Sequence, residues 1–327
     1  MATVSTPSAL PSSSLPPPAD PSVRIVPRRH AGRTALAVAA LLAVAAAVNS
    51  LARNRAFQWD VVGSYVTSGA VLDGLWLTLW LTAVVTGLGL LLGTVLAAMR
   101  LSQNAVLRGL AWGWVWLFRS VPPLVQLIFW FNIGALYPTL SLGVPLGPAF
   151  FHVKTVNLLG GVATAVIGLT LNESAYAAEI VRGGLLAVEQ GQVEAATALG
   201  LSRWRTLRRI VLPQAMRAIV PPAGNLLIGT LKGTAIVSVL AVQDLLYSVQ
   251  IIYLRTYQVI PLLVVATLWY LVVTSVLTVA QFYVERHFAR GASRELPPTP
   301  LQRARNALAS ARARVRRATA TDAPVEL

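Results

Sequence analysis

The sequence EAATALGLSRWRTLRRIVLP occupies residues 194–213 and lies between two long apolar segments. Its first part, up to Leu199, is rich in alanine and favours a helix that can approach a neighbour closely. Gly200 suits the left-handed residue that ends a helix, and Ser202 suits the cap of a second helix. We expect Pro213 to break that second helix before the next apolar segment. The pattern therefore predicts a short helix-turn-helix.

The second predicted helix is basic and partly apolar. Leu201, Trp204 and Leu207 recur at three-residue spacing, and the remaining surface carries arginines at 203, 205, 208 and 209. A basic loop at the cytoplasmic face of a membrane often does no more than fix topology. The same combination of apolar and cationic side chains also suits a docking element. The residues of the loop alone leave both interpretations open.

The composition of the chain is typical of an integral membrane protein. Of 327 residues, 55% are hydrophobic and only 12% are charged, and the mean hydropathy is +0.64. A helix needs about 20 apolar residues to cross a bilayer. Six segments approach that length: 34–51, 75–99, 112–131, 163–186, 218–241 and 260–283. The third and fifth contain prolines, which membrane helices tolerate when neighbouring groups satisfy the backbone.

The net charge of +15 is distributed in a way that indicates orientation rather than nucleic-acid binding. With both termini in the cytoplasm, the inside segments hold 20 Lys or Arg residues and the outside segments hold 4. This bias follows the positive-inside rule. An even number of spans agrees with it.

The ends of the chain differ from its middle. Residues 1–33 form a predicted disordered cytoplasmic tail, and the first apolar run is interpreted as a retained helix, since no cleavable signal peptide is evident. The basic residues around 301–315 could form a helix on anionic membrane lipid or remain a solvated tail. The absence of cysteine rules out disulfides and thiol chemistry. The predicted organisation is a tail (1–33), an extra helix with its external loop (34–74), a core (75–284) with a cytoplasmic loop (187–217), and a basic tail (285–327).

The spacing of the quoted stretch resembles a known signature. Glu194-Ala195-Ala196, then Gly200, then Ile210-Val211-Leu212-Pro213 is similar to the cytoplasmic EAA loop of permease subunits of ATP-binding-cassette (ABC) importers. The resemblance implies that the loop docks on a separate ATPase. The residues assigned to that docking are Glu194, Ala195, Ala196, Gly200, Leu201, Trp204, Leu207, Ile210, Leu212 and Pro213.

Further blocks narrow the resemblance to the polar amino acid permeases, which handle histidine, glutamate, glutamine, arginine and opines. They are NESAYAAEIVRGG (172–184), FRSVPPLVQ (118–126), PPAGN (221–225) and LKGTA (231–235), and the resemblance covers about residues 70–290. The chain departs from the usual pattern at Ser120, Val121, Gly233 and Ala235. Because Gly233 replaces an acidic residue beside Lys232, no particular substrate is carried over.

Several polar residues lie within the apolar segments, where charges are costly and usually face a bundle interior or a wet cavity. Asn172, Tyr176, Glu179 and Gly183 follow helical spacing and should share one face. Glu179 and Arg182 could instead neutralise each other and fix packing. Arg119 and Lys232 are expected to matter to solute passage, with interhelical salt bridges as the alternative. The candidates for a pathway or gate are Arg119, Gln126, Asn172, Tyr176, Glu179, Arg182, Lys232 and Thr234.

The resemblance implies an all-α integral membrane protein with about six transmembrane helices: the five-helix core of a type I ABC importer permease plus one extra N-terminal helix. We expect that first helix to be dispensable for transport. No phosphate-binding loop occurs and the three histidines are scattered, so neither catalysis nor a cofactor or metal is expected. Implied partners are ABC ATPase subunits, a second permease copy or paralogue and an extracytoplasmic solute-binding protein.

The implied function is import of a polar or charged amino acid. An opine or a compatible solute such as ectoine is the alternative within the same family. A stand-alone secondary carrier would need coupling carboxylates and often has inverted repeats, and it leaves the EAA-type loop unexplained. A membrane-anchored basic scaffold leaves the intramembrane charges unexplained.

Overall fold

The structure is a computed structural model that describes residues 31–143, 149–289 and five positions of the C-terminal tail (302, 305, 306, 309 and 310). Most of the two predicted tails therefore lies outside the described residues. Short 3-10 helices span Arg55–Phe57 and Thr234–Leu240, and a π-helical turn spans Leu207–Val211. The α-helices are α1 (Ala31–Arg53), α2 (Trp59–Tyr65), α3 (Gly69–Arg100), α4 (Ala105–Ser120), α5 (Pro123–Phe131), α6 (Ile133–Leu136), α7 (Thr155–Leu158), α8 (Gly161–Leu186), α9 (Gln190–Ala198), α10 (Arg203–Thr206), α11 (Leu212–Gly233), α12 (Leu245–Thr256) and α13 (Val259–Ala289).

The predicted all-α membrane class is confirmed. Four helical segments within the described residues are long and apolar enough to cross a bilayer: Ala35–Arg53, Gly69–Arg100, Arg203–Leu240 and Val259–Phe288. The bent pair α4–α5 adds a fifth if it counts as one span. Helix α8 has 26 residues, which gives a length of ~39 Å, but polar residues such as Asn172 and Glu173 lower its hydropathy. A total of six spans thus stays a prediction.

The predicted span at 112–131 is sharply bent. Helices α4 and α5 meet at an angle of 101°. Val121, at the bend, has the extended conformation (φ −97°, ψ 132°) that a residue before a proline prefers. Pro122 and Pro123 follow it and lack the N–H groups that would continue the helix. Pro122 and Pro123 were visible in the sequence, but because membrane helices tolerate proline, they were not interpreted as the cause of a bend.

Two antiparallel strands, β1 (Thr139–Gly143) and β2 (Ala149–Lys154), lie between α6 and α7. Thr139 pairs with Lys154 at the open end of this hairpin. The backbone N–H of Thr155 donates to the carbonyl of Pro138 at 3.0 Å, which closes the segment against α7. The hairpin falls between the predicted spans 112–131 and 163–186, where the sequence had indicated no element.

Helices α3 and α8 form the central pair of the unit that begins at Arg55. A Cβ atom added to Gly93 would lie 2.5 Å from the Cβ of Ala177, and one added to Gly89 would lie 2.9 Å from the Cβ of Glu173. Small residues at a helix contact let two backbones approach closely inside a membrane. Because both contacts advance by four residues on each helix, α3 and α8 run parallel.

Helices α4, α11 and α13 surround this pair through separate apolar clusters. One cluster joins α3 and α8 to α11 through buried Ala97, Val181, Ala215 and Ile219. Another joins α3 to α12 and α13 through side chains that include Leu75, Leu245 and Leu262. Helix α11 therefore has a fixed position beside α8, and the space between these two helices contains the polar cavity described below.

Asp244 is a fully buried carboxylate at the N-terminus of α12, between the last two predicted spans. Its Oδ1 accepts a hydrogen bond of 2.9 Å from the backbone N–H of Tyr247, so it caps the helix. Its Oδ2 has no hydrogen-bond partner among the described residues. Burial raises the pKa of Asp244 to about 6, above its ordinary value of 3.8.

Asp244→Asn should make the protein more stable at neutral pH. The raised pKa means that the folded state holds the proton more tightly than the unfolded state, so native stability falls as pH rises from about 4 to about 6 and is constant above. The largest possible effect is about 3 kcal/mol, at ~1.4 kcal/mol per pKa unit. Asparagine keeps the cap and removes this cost. Thermal unfolding in detergent should show a higher Tm for the variant at pH 8 and no gain at pH 4; an equal difference at both pH values would contradict the assignment.

Candidate functional site: a helix-turn-helix loop and a polar cavity

The predicted helix-turn-helix forms around Gly200. This residue has φ +72°, and its N–H donates to the carbonyl of Thr197 at 2.9 Å. The N–H of Leu201 donates to the carbonyl of Ala196 at 3.0 Å. These two bonds define a Schellman motif, which ends α9 and satisfies its last carbonyls. Ala196 is buried, while Glu194 is exposed and accepts a hydrogen bond of 3.0 Å from the Gln190 side chain.

Two expectations about the second half of the loop were wrong. Ser202 occupies the N-cap position, but its side chain makes no capping hydrogen bond. Pro213 does not break the helix, because α10, the π turn and α11 follow one another as a single helical segment, Arg203–Leu240. The N–H of Leu212 bonds to the carbonyl of Leu207, five residues earlier. This wider turn comes directly before Pro213, whose ring would clash with the carbonyl four residues earlier in a regular α-helix.

Large apolar side chains are exposed on both sides of the Gly200 turn. Leu199 is 80% exposed and Trp204 is 65% exposed. Leu201, Leu207, Ile210 and Leu212 are only half-buried, and the arginines at 203, 205, 208 and 209 are exposed. Leu199 was absent from the predicted docking set, although an apolar residue next to the terminating glycine was the available signal. The surface made by Leu199 and Trp204 is called the docking surface below.

A cavity of about 680 Å³ lies between α4, α8 and α11. The Arg119 guanidinium carbon lies 5.2 Å from the centre of the Tyr176 ring, which is within range of a cation–π interaction. Helix α8 presents Tyr176, Glu179 and Gly183 to the cavity, and α11 presents Pro222 and Asn225. The predicted shared face of α8 is therefore present for these three residues.

The charges of α8 neutralise one another near the cavity. Arg182 donates to Glu179 Oε2 through Nη2 at 2.7 Å and through Nε at 3.2 Å. Arg100 of α3 brings its Nη1 to 3.6 Å from Glu179 Oε1. The expected Glu179–Arg182 pair thus forms, and it also ties α8 to α3. Arg119 makes no ion pair within the described part of the chain, so the salt bridge considered for it is not observed there.

Gln126 and Asn172 are buried and hold the α4–α5 bend. The Phe118 carbonyl accepts from Gln126 Nε2 at 3.0 Å and from Asn172 Nδ2 at 2.8 Å. Gln126 Nε2 also donates to the Val121 carbonyl at 2.7 Å. These amides satisfy carbonyls at the end of α4 that its broken helix leaves free. They consequently fix the backbone next to Arg119 without lining the cavity.

Lys232 and Thr234 do not line the Arg119 cavity. The Thr234 side chain is buried, and its hydroxyl donates to the Leu231 carbonyl at 2.8 Å. Lys232 is exposed and forms no ion pair with any residue that the structure describes. Along α11 it lies six residues beyond Leu226, the outermost lining residue of that helix, which corresponds to ~9 Å. The predicted pathway residues are therefore divided in the fold. Some line the cavity, some form buried hydrogen bonds with the backbone, and Lys232 is exposed away from the cavity.

Comparisons with known proteins agree with this arrangement. The arginine transport system permease protein ArgU of Corynebacterium glutamicum is 42% identical over 273 residues, which cover 83% of this chain and 84% of that protein. The histidine/lysine/arginine/ornithine transport system permease protein HisQ of Salmonella typhimurium is 34% identical, over 70% of this chain and 98% of its own length. A crystal structure of an amino acid ABC transporter with histidines matches with a TM-score of 0.57 and 31% identity, covering 67% of this chain and 94% of that one.

The loop and the cavity both lie within residues 89–290, the part that matches the family described as "Binding-protein-dependent transport system inner membrane component". The protein is accordingly a multi-pass membrane protein and a transport subunit rather than an enzyme, with ATP hydrolysis on a separate subunit. With the match covering most of its length, this chain belongs to the inner-membrane components of binding-protein-dependent transport systems.

Proposed function

We propose that the chain is the permease subunit of an ABC importer for a polar amino acid, and that its docking surface receives the ATPase. The observation that carries the docking role is the pair of exposed apolar side chains, Leu199 and Trp204, on either side of the Gly200 turn. Exposed aromatic and apolar groups in one patch are typical of protein interfaces. The exposed arginines around Trp204 add a rim suited to an acidic partner surface.

The amino acid substrate is supported by the names of the relatives. The similar proteins are permeases for arginine and for histidine, lysine, arginine and ornithine, and another relative from Agrobacterium fabrum, at 32% identity, is a nopaline permease. The cavity fits this class because Arg119 offers a cation to the carboxylate that every amino acid carries. An opine, as in the nopaline permease, is the alternative within the family.

The helix that begins in the loop could carry movement of the ATPase to the cavity. Arg203–Leu240 runs from the docking surface past Pro222 and Asn225, which line the cavity. Closure of the ATPase subunits would move the loop, and a continuous helix would pass that movement to the cavity wall. This coupling accounts for a loop that is helical on both sides of one glycine.

The charge distribution supports an orientation with both termini in the cytoplasm. The docking loop then faces the ATPases, and the hairpin and α12 face a solute-binding protein outside. A second permease copy or a paralogue would complete the transport path. Helix α1 lies outside the residues that match the family. This supports the proposal that α1 is dispensable for transport.

Trp204→Ala should weaken ATPase docking about 30-fold. An interface tryptophan commonly contributes 2 kcal/mol or more, and ~1.4 kcal/mol is a factor of ten in affinity. Co-purification of the ATPase and ATP-dependent uptake should both fall, while the Tm of the isolated permease stays constant because the side chain is exposed. Trp76→Ala is the matched control, since Trp76 of α3 is 68% exposed but lies far along the chain from the loop.

The function itself is tested by reconstituting the permease with its ATPase and binding protein in proteoliposomes. Uptake of radiolabelled arginine, glutamine and an opine, each with and without ATP, should identify an amino acid or opine as substrate. Uptake that persists without ATP and follows an ion gradient would favour a stand-alone carrier. A complete assembly that moves none of these solutes would contradict the proposed substrate class.

A further inference from the structure

Three arginines from three helices line a second cavity, of about 350 Å³, where α3 ends and α4 begins. They are Arg100 of α3, Arg108 of α4 and Arg182 of α8. The remaining lining residues are apolar or small: Leu101, Ala105, Gly109 and Trp112. None of these described lining residues is acidic, and the volume is within the range of ligand pockets. This space is called the arginine cavity below, and it shares no lining residue with the Arg119 cavity.

The positive charges around the arginine cavity exceed the negative charge that the described chain brings to them. Arg182 donates to Glu179 Oε2 through Nη2 and Nε, and Arg100 Nη1 lies 3.6 Å from Glu179 Oε1. One carboxylate therefore faces two guanidinium groups. Arg108 is exposed and makes no ion pair with any described residue. Because each guanidinium has five N–H donors, most of the donors around the cavity are left for a ligand.

One face of α4 forms the floor of the arginine cavity. Ala105, Arg108, Gly109 and Trp112 lie on this face because they are separated by three or four residues. Nothing lies within 4 Å of a Cβ atom added to Gly109, so the floor is open at this position. Helix α4 begins at Ala105, and the positive end of its dipole adds to the field of the three arginines. The floor is therefore a recess suited to a small anionic group.

The arginine cavity lies where a membrane-spanning helix ends. Arg100 is the last residue of the apolar segment Gly69–Arg100. Two apolar residues of the cavity are also open to the surroundings, since Trp112 is 56% exposed and Leu101 is 42% exposed. Tryptophan is enriched at the boundary between the hydrocarbon and water. A ligand at this position therefore meets cations and an apolar rim together, which is the combination that a lipid headgroup and its chains require.

We propose that the arginine cavity binds a phosphate group, supplied by an anionic phospholipid of the membrane. The planar forks of several arginines fit the oxygens of one phosphate, and the bound anion offsets the repulsion between the converging cations. Basic pockets between membrane helices on the cytoplasmic side are typical sites for lipid headgroups. In the proposed orientation the arginine cavity faces that leaflet. A soluble phosphate compound is the other source of the same chemistry, and the experiment separates the two.

Arg108→Gln should weaken the binding of phosphatidylglycerol about tenfold to a hundredfold, because a hydrogen bond to a charged group is lost. The measurement is a titration of the delipidated, detergent-purified permease–ATPase complex with radiolabelled phosphatidylglycerol. Gly109→Leu should cause a similar loss, since leucine fills the recess and leaves every charge in place. Arg255→Gln is the matched control, because Arg255 is also exposed but lines a different cavity, together with residues from the start of α3.

Two further ligands identify the bound group. Phosphatidylcholine, whose choline cation cancels the phosphate charge, should bind at least tenfold more weakly than phosphatidylglycerol. Phosphatidylglycerol that stays bound in excess inorganic phosphate assigns the lipid source, and displacement that Arg108→Gln abolishes assigns a soluble phosphate.

Folding and transport do not enter the result. Arg108 and Gly109 are exposed, so the lipid-free variants should keep the Tm of the wild-type protein, and no step measures uptake. The proposal can therefore fail while the proposed function stands. Equal affinity for the two lipids, or equal losses in Arg108→Gln and Arg255→Gln, would overturn it.

Discussion

Gly200→Val is expected to abolish ATP-dependent uptake. Gly200 has φ +72° and open space around its α-carbon, with nothing within 4 Å of an added Cβ. The effect of a side chain there is therefore conformational. A β-branched residue avoids positive φ, and forcing it into that region costs about 1–3 kcal/mol. The loop should rearrange, which separates Leu199 from Trp204 and destroys the docking surface.

The measurement is co-purification of the ATPase with tagged permease, which should fall at least tenfold, together with uptake in proteoliposomes. Gly200→Asn is the graded control, because asparagine tolerates the left-handed region and should retain most docking. Gly87→Val is the matched control in a helix, where Gly87 of α3 also has open space. Normal docking by Gly200→Val would show that the turn geometry is irrelevant to coupling.

Arg119→Met should reduce uptake roughly tenfold to a hundredfold while the complex stays intact. A hydrogen bond to a charged group contributes about 1.5–3 kcal/mol, and Arg119 has no ion pair within the described chain that methionine would disrupt. The long apolar side chain of the introduced methionine can still contact the Tyr176 ring. Binding-protein-stimulated ATPase activity should persist, because the docking surface lies on another part of the chain.

Arg55→Met is the control for Arg119→Met, since Arg55 is exposed and lies outside the Arg119 cavity. Lys232→Met belongs in the same series, because the expected passage role of Lys232 stays a prediction although the residue lies away from the cavity. Aggregation of the Arg119 variant in detergent, with normal behaviour of the other two, would show that Arg119 holds helices together instead of contacting solute.

The turn at Gly200 was predictable because its chemistry is local, although the cap by Ser202 and the break at Pro213 were predicted wrongly. Alanine-rich helix, terminating glycine and basic second helix are each decided by residues within a few positions of one another. The positions of Gly200 and Trp204 relative to the helix ends could therefore be deduced from residues 194–213 alone. The neutralised pair Glu179–Arg182 was predictable for the same reason, since three residues separate its members on one helix.

Features that depend on distant contacts could not be predicted in this way. Gln126 and Asn172 looked like pathway residues, but the Phe118 carbonyl, freed by the bend after α4, binds both of their side chains. Glu173 attracted no attention in the sequence, because its buried Oε2 without a hydrogen-bond partner among the described residues is visible only once α3 and α11 surround it. The same holds for Lys232, whose separation from Arg119 depends on how α11 packs against α8.

The π turn at Leu207–Val211 sets the angular phase between the docking surface and the cavity. An α-helix rotates by about 100° per residue, so one extra residue in a turn changes the azimuth of everything beyond it. Shortening this turn by one residue would leave both surfaces intact and point them in different directions around the same axis. In the proposed coupling, the helix would then still move when the ATPase pushes the loop. However, a different face of the helix would turn toward the cavity. In the proposed coupling, transmission through this subunit would thus depend on a phase angle as much as on the strength of any contact.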